Sequence, residues 1–545
     1  MIFNYRYSGS STVSSTASSV GMSFAPDTLR EPTFFVGKLN KHIPYREAIS
    51  ALHDVVILDT RYTPKDRAEY QAWLAEMEPI WLAEAMAKEA KIKAQVDSKR
   101  TELQTLQKER FKILEPFNKA KREYFNWLYK KDYDAWFVFD PVITVHPDEV
   151  FFECFSLDES AYGKLGCKYE VFKDINEFAC GTTNVDYSWT LYNEFQKIRD
   201  YKETELKVDP SGFEVQTGTD EAYKEVKIDL PDSWVRGFLQ VSSAMTVPAH
   251  TFDLHPMDLH NFLYVLKRQK AKYSPRSLRF FLEPGQPVRA VFEPWNYEIV
   301  CSRSIYHGEK AEIRIWGRRR LLLLERLLPI AKKFTATLLG TGMPSFWVAD
   351  LGDMNFTLGL SGWSANDWSR QGNFDLLAPR AEVDSVTQQK IYLALKENWR
   401  ETADSLAKRL DLDRSVVLGA LQGFVQAGRA IFDMDKKVFR LRELAREPLP
   451  MSALRFANPR EEAATRFIRE GAVKITAIEQ QQGRVRIQGE VKDGNRVHSP
   501  IIHIDEDERM VDPSCTCNFY QQNKLFKGPC EHMLALRMAY TAQKR

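Results

Sequence analysis

The sequence has little net charge and no long apolar run, and each absence excludes a class of protein. Its 76 Lys and Arg nearly balance 74 Asp and Glu, giving a net charge of +2 over 545 residues. A generally polycationic nucleic-acid binder is therefore excluded, and only local patches could serve that role. No stretch approaches the eighteen or more apolar residues of a membrane span, and no signal peptide is recognisable at the start. We expect a cytoplasmic, soluble protein that does not contact a membrane.

The sequence also lacks the short motifs of common enzyme classes. There is no GxSxG, no HExxH and no Walker-type phosphate loop, and the lone GxG at 340–342 predicts a turn. His250, His255 and His260 recur every five residues, a spacing that does not place three rings on one face of a helix or strand. We predict no metal there, with Asp258 as a possible helix N-cap. We predict no catalytic residue and expect a non-enzymatic protein, an enzyme hidden in 133–380 being the weakest alternative.

Cysteine is scarce, but three of the seven cysteines lie within sixteen positions near the C-terminus. Cys515 and Cys517 would aim both thiolates at one ion if they lay on a strand, and Cys530 and His532 follow after twelve residues. Three thiolates and one imidazole complete a closed tetrahedral zinc site, so we predict one structural Zn²⁺. The other four cysteines are predicted to be buried thiols in a reducing compartment: Cys154, Cys167, Cys180 and Cys301.

This C-x-C…C-x-H arrangement resembles the SWIM zinc finger, a ββα unit, over about Val511–Tyr540. The resemblance implies binding to DNA or to protein partners. FAPDTLREPTFFVGKL, TLYNEFQKIRDY and LGLSGWSANDW make the whole chain similar to uncharacterised bacterial proteins of the SWIM zinc finger type. Members of that group are often encoded beside a MoxR-type AAA+ ATPase and a von Willebrand A protein. The likeness therefore implies these two proteins as partners in an assembly, and no particular activity.

Two segments precede the middle of the chain. Residues 1–63 predict a small β-containing segment, with strands in EPTFFVGKL and DVVILDTRY and a short helix in YREAISALHDVV. Residues 64–132 contain no glycine and favour helix. Their second half has heptad-like apolar spacing, which indicates a long helical arm or hairpin. Such a coiled coil would serve oligomerisation or partner binding, or would pack on its own protein.

Residues 133–380 predict one or two α+β domains. Aromatic and β-branched runs separated by Gly and Pro turns indicate antiparallel sheet. Helices are predicted near Asp258–Lys272 and Arg319–Thr335.

Residues 381–446 resemble a winged-helix domain. Three amphipathic helices are predicted at Thr387–Asn398, Thr402–Leu410 and Arg414–Ala427, followed by strands at Ala430–Phe432 and Val438–Leu441. The third helix and the wing carry donors that suit phosphates and base edges: Arg414, Ser415, Gln422, Gln426, Arg429, Lys436, Lys437, Arg440 and Arg442. Twelve Lys and Arg against ten Asp and Glu in this segment leave DNA contact and protein docking equally supported.

Residues 465–545 predict a β-sheet leading into the finger, with a hairpin turn at Asp493-Gly494. Opposite the apolar face stand Lys474, Arg484, Arg486 and Lys492, with Glu490 among them. This face would follow a phosphate backbone or be an ordinary solvated surface, and the acidic run 505–508 would repel nucleic acid. The sequence thus predicts an α+β multidomain, zinc-containing protein. It contacts DNA through the winged helix and finger or, alternatively, is a scaffold in an assembly with an AAA+ ATPase.

Overall fold

The computed structural model of the chain describes residues 12–15, 19–24, 33–58 and 141–544, the last range with gaps that include 185–191, 209–231 and 445–458. These residues belong to one compact unit, 1–59 together with 139–545. The arm predicted at 64–132 lies outside the described residues. No helix in the described part of the chain is long and apolar enough to cross a membrane.

Runs of consecutive strands, separated by helices, make up the described residues. The helices are α1 (His42–Val56), α2 (Asp232–Ala244), α3 (Pro256–Arg268), α4 (Ser385–Asn398), α5 (Ala403–Leu410), α6 (Arg414–Gln426), α7 (Pro459–Arg469), α8 (Asn518–Asn523) and α9 (Glu531–Lys544), with 3-10 turns at Tyr169–Val171 and Arg318–Leu327. The strands are β1 (Thr12–Ser15), β2 (Ser19–Phe24), β3 (Phe34–Leu39), β4 (Val142–Val145), β5 (Glu149–Phe155), β6 (Ala161–Lys168), β7 (Phe172–Lys173), β8 (Phe178–Ala179), β9 (Gly181–Asn184), β10 (Glu203–Val208), β11 (His250–Leu254), β12 (Leu278–Leu282), β13 (Pro287–Phe292), β14 (Tyr297–Ile305), β15 (Ala311–Ile315), β16 (Lys333–Leu338), β17 (Ser345–Asp350), β18 (Met354–Leu360), β19 (Arg400–Glu401), β20 (Ala430–Asp433), β21 (Val438–Leu441), β22 (Val473–Gln481), β23 (Arg484–Asp493), β24 (Arg496–His498), β25 (Ile501–Asp505) and β26 (Met510–Ser514).

An eight-stranded sheet in the order β11-β16-β17-β18-β6-β5-β4-β9 forms the centre of this unit. Its inner strands β5 and β18 are buried along their whole length because both faces are covered. On one face, Gly163 lies against Leu52 of α1. On the other, the ring of Phe155 packs 4.7 Å from that of Phe238 on α2. We call this second face the inner face.

The N-terminal residues confirm one predicted strand and overturn another. EPTFFVGKL contains β3, which lies within a second sheet of order β1-β2-β10-β3-β7, with β8 also paired to β3. DVVILDTRY was predicted as a strand, but Asp54–Val56 form the last turn of α1. The reason is that Val55 and Val56 continue the 3-4 apolar spacing of Tyr45, Ile49 and Leu52, and all five are buried.

A four-stranded sheet, β14-β13-β12-β15, packs near α3. The helix predicted near Asp258–Lys272 is present as α3. Its N-cap is His255 and not Asp258, because the His255 ring accepts a hydrogen bond from the Met257 backbone N–H at 3.2 Å. The helix predicted at Arg319–Thr335 is wrong. A 3-10 turn ends at Leu327, Pro329 cannot continue a helix, and β16 begins at Lys333.

Residues 383–444 form a unit that we call the three-helix module. α4, α5 and α6 pack around a core that includes Leu395, Leu406 and Leu421, and a small sheet of order β19-β21-β20 closes it. Asp384 and Thr402 cap α4 and α5 through their side-chain oxygens. The helices and hairpin strands predicted here are present, within one or two residues of the expected bounds.

The C-terminal unit is a five-stranded sheet of order β22-β23-β25-β26, with β24 paired to β23. α9 packs on the face that carries Ile487 and Val491, which are both fully buried. A Cβ on Gly489 would lie 2.4 Å from Leu536 Cδ1, so only glycine allows α9 to approach this closely. The described residues therefore form a mixed α+β structure of separate sheets and helices.

Candidate metal centre

The predicted zinc ligands come together at the junction of β26, α8 and α9. Cys515 follows β26 directly, Cys517 caps α8, and its Sγ accepts the Tyr520 backbone N–H at 3.4 Å. Cys530 immediately precedes α9, and His532 is in the first turn. One ligand atom from each of the four lies within 4.8 Å of the others. The first pair occupies a strand-to-helix turn, so the expected location on a strand is wrong although the convergence is right.

The donor set fits a structural Zn²⁺. All four side chains are at most 3% exposed, and neither ring nitrogen of His532 has a hydrogen-bond partner in the described structure. Ligands at zinc bond lengths sit roughly 3.5–4 Å apart in a tetrahedron, within the observed limit. Four protein donors leave no open position for water, so the ion is structural.

The electrostatics of the metal-free site favour a deprotonated sulfur at Cys517, whereas hydrogen bonds with Cys515 and Cys517, together with burial, hold the pKa of the Cys530 thiol far above its usual range. Hydrogen bonds from Cys515 and Cys530 hold the pKa of the Cys517 thiol far below its usual range. Burial lowers the pKa of His532, but the neighbouring sulfurs of Cys515 and Cys517 raise it to about 9. A thiolate is the form that binds zinc. Metal binding would replace this crowded thiol–imidazole contact with four bonds to one cation.

Arg460 of α7 supports the turn that delivers Cys530. Its Nη1 donates to the carbonyl oxygens of Lys527 at 2.7 Å and Pro529 at 2.8 Å. Its guanidinium also lies 4.9 Å from the centre of the Phe519 ring. Sequence reasoning missed this residue because nothing local distinguishes it from any arginine on an exposed helix.

The three middle histidines have separate roles. His250 hydrogen-bonds through Nδ1 to the Tyr306 hydroxyl at 2.9 Å. His255 caps α3, and His260 is exposed on the same helix. Among the described residues they do not form a convergent group.

Most donors of the third helix that were predicted to contact DNA are engaged within the chain. Gln422 is 2% exposed, and its amide donates to Ser243 Oγ at 3.1 Å, because α6 packs against α2. Its prediction as an exposed donor is therefore wrong. Arg414 pairs with Asp404 at 2.6 Å. Arg429 lies over the Tyr392 ring at 3.5 Å and near Glu443.

The wing of the module, which is the hairpin of β20 and β21, faces the eight-stranded sheet. Arg440 and Arg442 were expected at its surface, yet both are completely buried. They project from β21 and the residue after it, alternating with Phe439 and Leu441, which enter the core of the module. One side of this strand thus serves the module and the other meets the eight-stranded sheet.

The inner face of the sheet supplies partners for these charges. Arg440 contacts Asp148 at 2.8 Å and Glu149 at 3.4 Å, and within the wing it pairs with Asp433 at 2.7 Å. Arg442 binds Glu153 at 3.0 Å. We call the whole set the charged interface: Asp433, Lys436, Arg440 and Arg442 from the module, and Asp148, Glu149, Glu153 and Lys164 from the sheet.

Lys436 completes the contact from the tip of the wing. Its Nζ lies 3.0 Å from Glu149 Oε2, whereas Lys437 next to it is exposed. Burial alone would raise the pKa of Asp148, but the hydrogen bonds and charge of Arg440 lower it to about 2. Burial, together with Arg440, lowers the pKa of His146 to about 4. Asp148 is therefore ionised and the neighbouring His146 is neutral at pH 7.

The five-stranded C-terminal sheet, which we call the finger sheet, carries both signs of charge on its outer face, the face opposite α9. Arg484 lies 3.7 Å from Asp512, and Arg486 lies 3.1 Å from Glu479. Lys474 stands opposite Glu490 in the β22–β23 register. The basic face predicted from the alternation is thus partly neutralised by its neighbours.

The remaining cysteines are mostly interior. Cys154, Cys167 and Cys301 are buried, as predicted, while Cys180 is half-buried. Burial raises the pKa of Cys301 to about 12 and that of Cys154 further. These thiols stay protonated at neutral pH and are not expected to be reactive.

Comparison with known proteins identifies the C-terminal module. Residues 501–538 match the SWIM zinc finger family model, a range that contains all four ligands. No curated protein matches the chain. Among solved structures it is similar to Proliferating Cellular Nuclear Antigen from Entamoeba histolytica, at 7% identity and a TM-score of 0.31, covering 60% of this chain and 98% of that one. A score this low does not establish a shared fold.

Proposed function

Because residues 501–538 match a SWIM zinc finger, a binding module, we propose that this protein is a non-enzymatic, zinc-containing scaffold. In this proposal residues 381–446 are a winged-helix domain that is fixed to the eight-stranded sheet. The observation that carries the proposal is the charged interface. Most of the cations that the wing of a free winged helix would offer to DNA, namely Lys436, Arg440 and Arg442, here pair with carboxylates of the same chain.

The order of elements in the three-helix module supports the winged-helix assignment. Helix α4, strand β19, helices α5 and α6, and the β20–β21 hairpin follow one another as in that fold. The third helix of such a domain usually enters the DNA major groove. Here α6 buries Gln422 against Ser243, which argues against this mode of binding.

The charges of the wing also argue against DNA binding. Lys436 and Arg440 neutralise Glu149. A DNA phosphate would have to compete with this buried carboxylate for the two cations. Of the wing cations, Lys437 is the one left exposed. One exposed lysine contributes little counterion release, which scales with the number of phosphates neutralised.

Helix α4 supports protein docking. Val386 and Leu393 are 77% and 55% exposed, and seven residues apart they lie on one face of the helix. Lys390 stands between them at the surface. A MoxR-type AAA+ ATPase and a von Willebrand A protein are the partners that we propose to test first.

A DNA-binding assay distinguishes the scaffold proposal from the DNA-binding alternative. Fluorescence anisotropy with a labelled duplex, in low salt and then across a salt series, should show weak binding for the intact chain. Lys437→Glu should behave like the control Lys390→Glu. Tight binding with a steep salt slope, which Lys437→Glu lowers by about one unit, would support the DNA-binding alternative.

Partner binding tests the scaffold directly. The two candidate partners, purified, should bind the intact chain equally well with and without nuclease. Val386→Glu combined with Leu393→Glu should abolish that binding, while the exposed finger-sheet variant Ile478→Glu should leave it unchanged. If neither partner binds, the assembly that we propose is wrong.

A further inference from the structure

The His532 ring is enclosed by residues that are not zinc ligands. The Phe467 ring stacks on it at 5.4 Å and 16°, and the His498 ring lies 4.4 Å away. His498 and Asp493 belong to the β23–β24 hairpin, which reaches across to the start of α9. Ligand atoms of Asp493, His498 and His532 converge within 4.8 Å, in a group separate from the three cysteines.

Each ring nitrogen of His532 has a carboxylate nearby. Nε2 lies 3.9 Å from Asp493 Oδ2, and Nδ1 lies 3.8 Å from Glu531 Oε1. A histidine that binds a metal through one nitrogen carries its proton on the other, and that N–H needs an acceptor when it is buried. The ring is 2% exposed, so water is a poor substitute.

We propose that Asp493 is the positioning residue of the zinc site. It accepts the Nε2–H of His532, which fixes the tautomer and leaves Nδ1 for the metal. Asp493 is a better acceptor than Glu531 because Asp493 and His498 group with His532 apart from the three cysteines. Glu531 instead lies near Nδ1, the nitrogen that we assign to the metal. A shift of less than about 1 Å brings Asp493 within hydrogen-bond distance of Nε2. The β23–β24 hairpin then helps to orient a zinc ligand, although it lies outside residues 501–538.

Zinc affinity and ligand orientation test this role in the full-length protein. Competition with a chromophoric chelator should show zinc binding about 10–100-fold weaker in Asp493→Ala. Asp493→Glu, which keeps the carboxylate, should recover much of that loss. The matched control is Glu490→Ala, an exposed acid of the same strand that faces away from the ring, and it should bind zinc like the wild type.

A spectroscopic measurement separates orientation from general stability. In the Co²⁺-substituted protein, Asp493→Ala should shift the ligand-field bands, because the imidazole loses its fixed orientation, while Glu490→Ala leaves them unchanged. Wild-type affinity and spectrum in Asp493→Ala would overturn the proposal, as would the same losses in Glu531→Gln alone. Two zinc ions per chain, falling to one in His498→Ala, would also overturn it, since Asp493 and His498 would then be ligands themselves.

Discussion

Replacing Arg440 with methionine should detach the three-helix module from the eight-stranded sheet. Arg440 is the central residue of the charged interface, within 3.4 Å of carboxylates of Asp148, Glu149 and Asp433. Methionine fills a similar volume without charge. The change therefore leaves Asp148 without its main cation and removes one of the cations beside the buried Glu149 and Asp433.

The expected cost is large for one side chain. Removing one partner of a buried ion pair costs about 3–5 kcal/mol, because the remaining charge is stranded away from water. The exposed pair Arg414–Asp404 in the same module has side chains 44% and 72% accessible. Such pairs contribute about 0–1 kcal/mol, so Arg414→Met is the matched control.

Hydrogen–deuterium exchange measures this cost locally. Amides of β5 and of β20–β21 should exchange faster in Arg440→Met by roughly two to three and a half orders of magnitude, since about 1.4 kcal/mol is a factor of ten. Arg414→Met should change exchange there by less than about tenfold. Equal effects of the two variants would refute the interface as the element that holds the module.

Acid provides a second readout of the same contact. The pKa of Asp148 is about 2 in the folded chain and about 3.9 when unfolded. A lowered carboxyl pKa stabilises the fold above the unfolded value, and this contribution is lost as pH falls toward 2. Arg440→Met should reduce this pH dependence between about 4 and 2, as followed by urea unfolding at each pH, while Arg400 and Lys436 beside Asp148 maintain part of it. An unchanged pH profile would contradict the assigned ion pair.

Three further predictions concern the finger. Cys530→Ser, or a strong chelator, should make residues 511–545 protease-sensitive while 385–441 stay resistant, because structural zinc contributes on the order of 10 kcal/mol; a resistant tail after zinc loss would contradict this. Gly489→Ala should destabilise the finger by about 1–3 kcal/mol, measured by thermal unfolding, because its Cβ would meet Leu536 Cδ1 at 2.4 Å and the Lys474 carbonyl oxygen at 2.8 Å. Metal analysis should find one zinc per chain in both the wild type and His255→Ala, and a loss of zinc in that variant would contradict the assignment.

Features set by neighbouring residues were predictable from the sequence. The three helices of the module follow from apolar residues at helical spacing and from caps such as Asp384. The zinc site follows from three thiols and an imidazole in a short stretch, because few other arrangements explain that clustering. The helix expected at Arg319–Thr335 failed where Pro329 outweighed an apolar run.

Contacts between distant segments were not predictable in the same way. Glu149 and Glu153 lie on one face of an otherwise apolar strand, EVFFECF, and Arg440 and Arg442 alternate with apolar residues in a similar way. Alternating charge in a strand ordinarily indicates a solvated face. Only the tertiary structure shows that these two faces meet and neutralise each other, so the sequence alone predicts wing cations at the surface, open to DNA or to a protein.

The two-sided strand β21 has a consequence for work on isolated fragments. Cutting the chain at 381 and 446 would keep the core of the module but expose the guanidiniums of Arg440 and Arg442. It would also remove Glu149, the ion-pair partner of Lys436. Such a fragment would present a cationic surface that the intact chain does not have. It would bind DNA in a salt-dependent manner, so an assay on the fragment would report an affinity created by the excision itself.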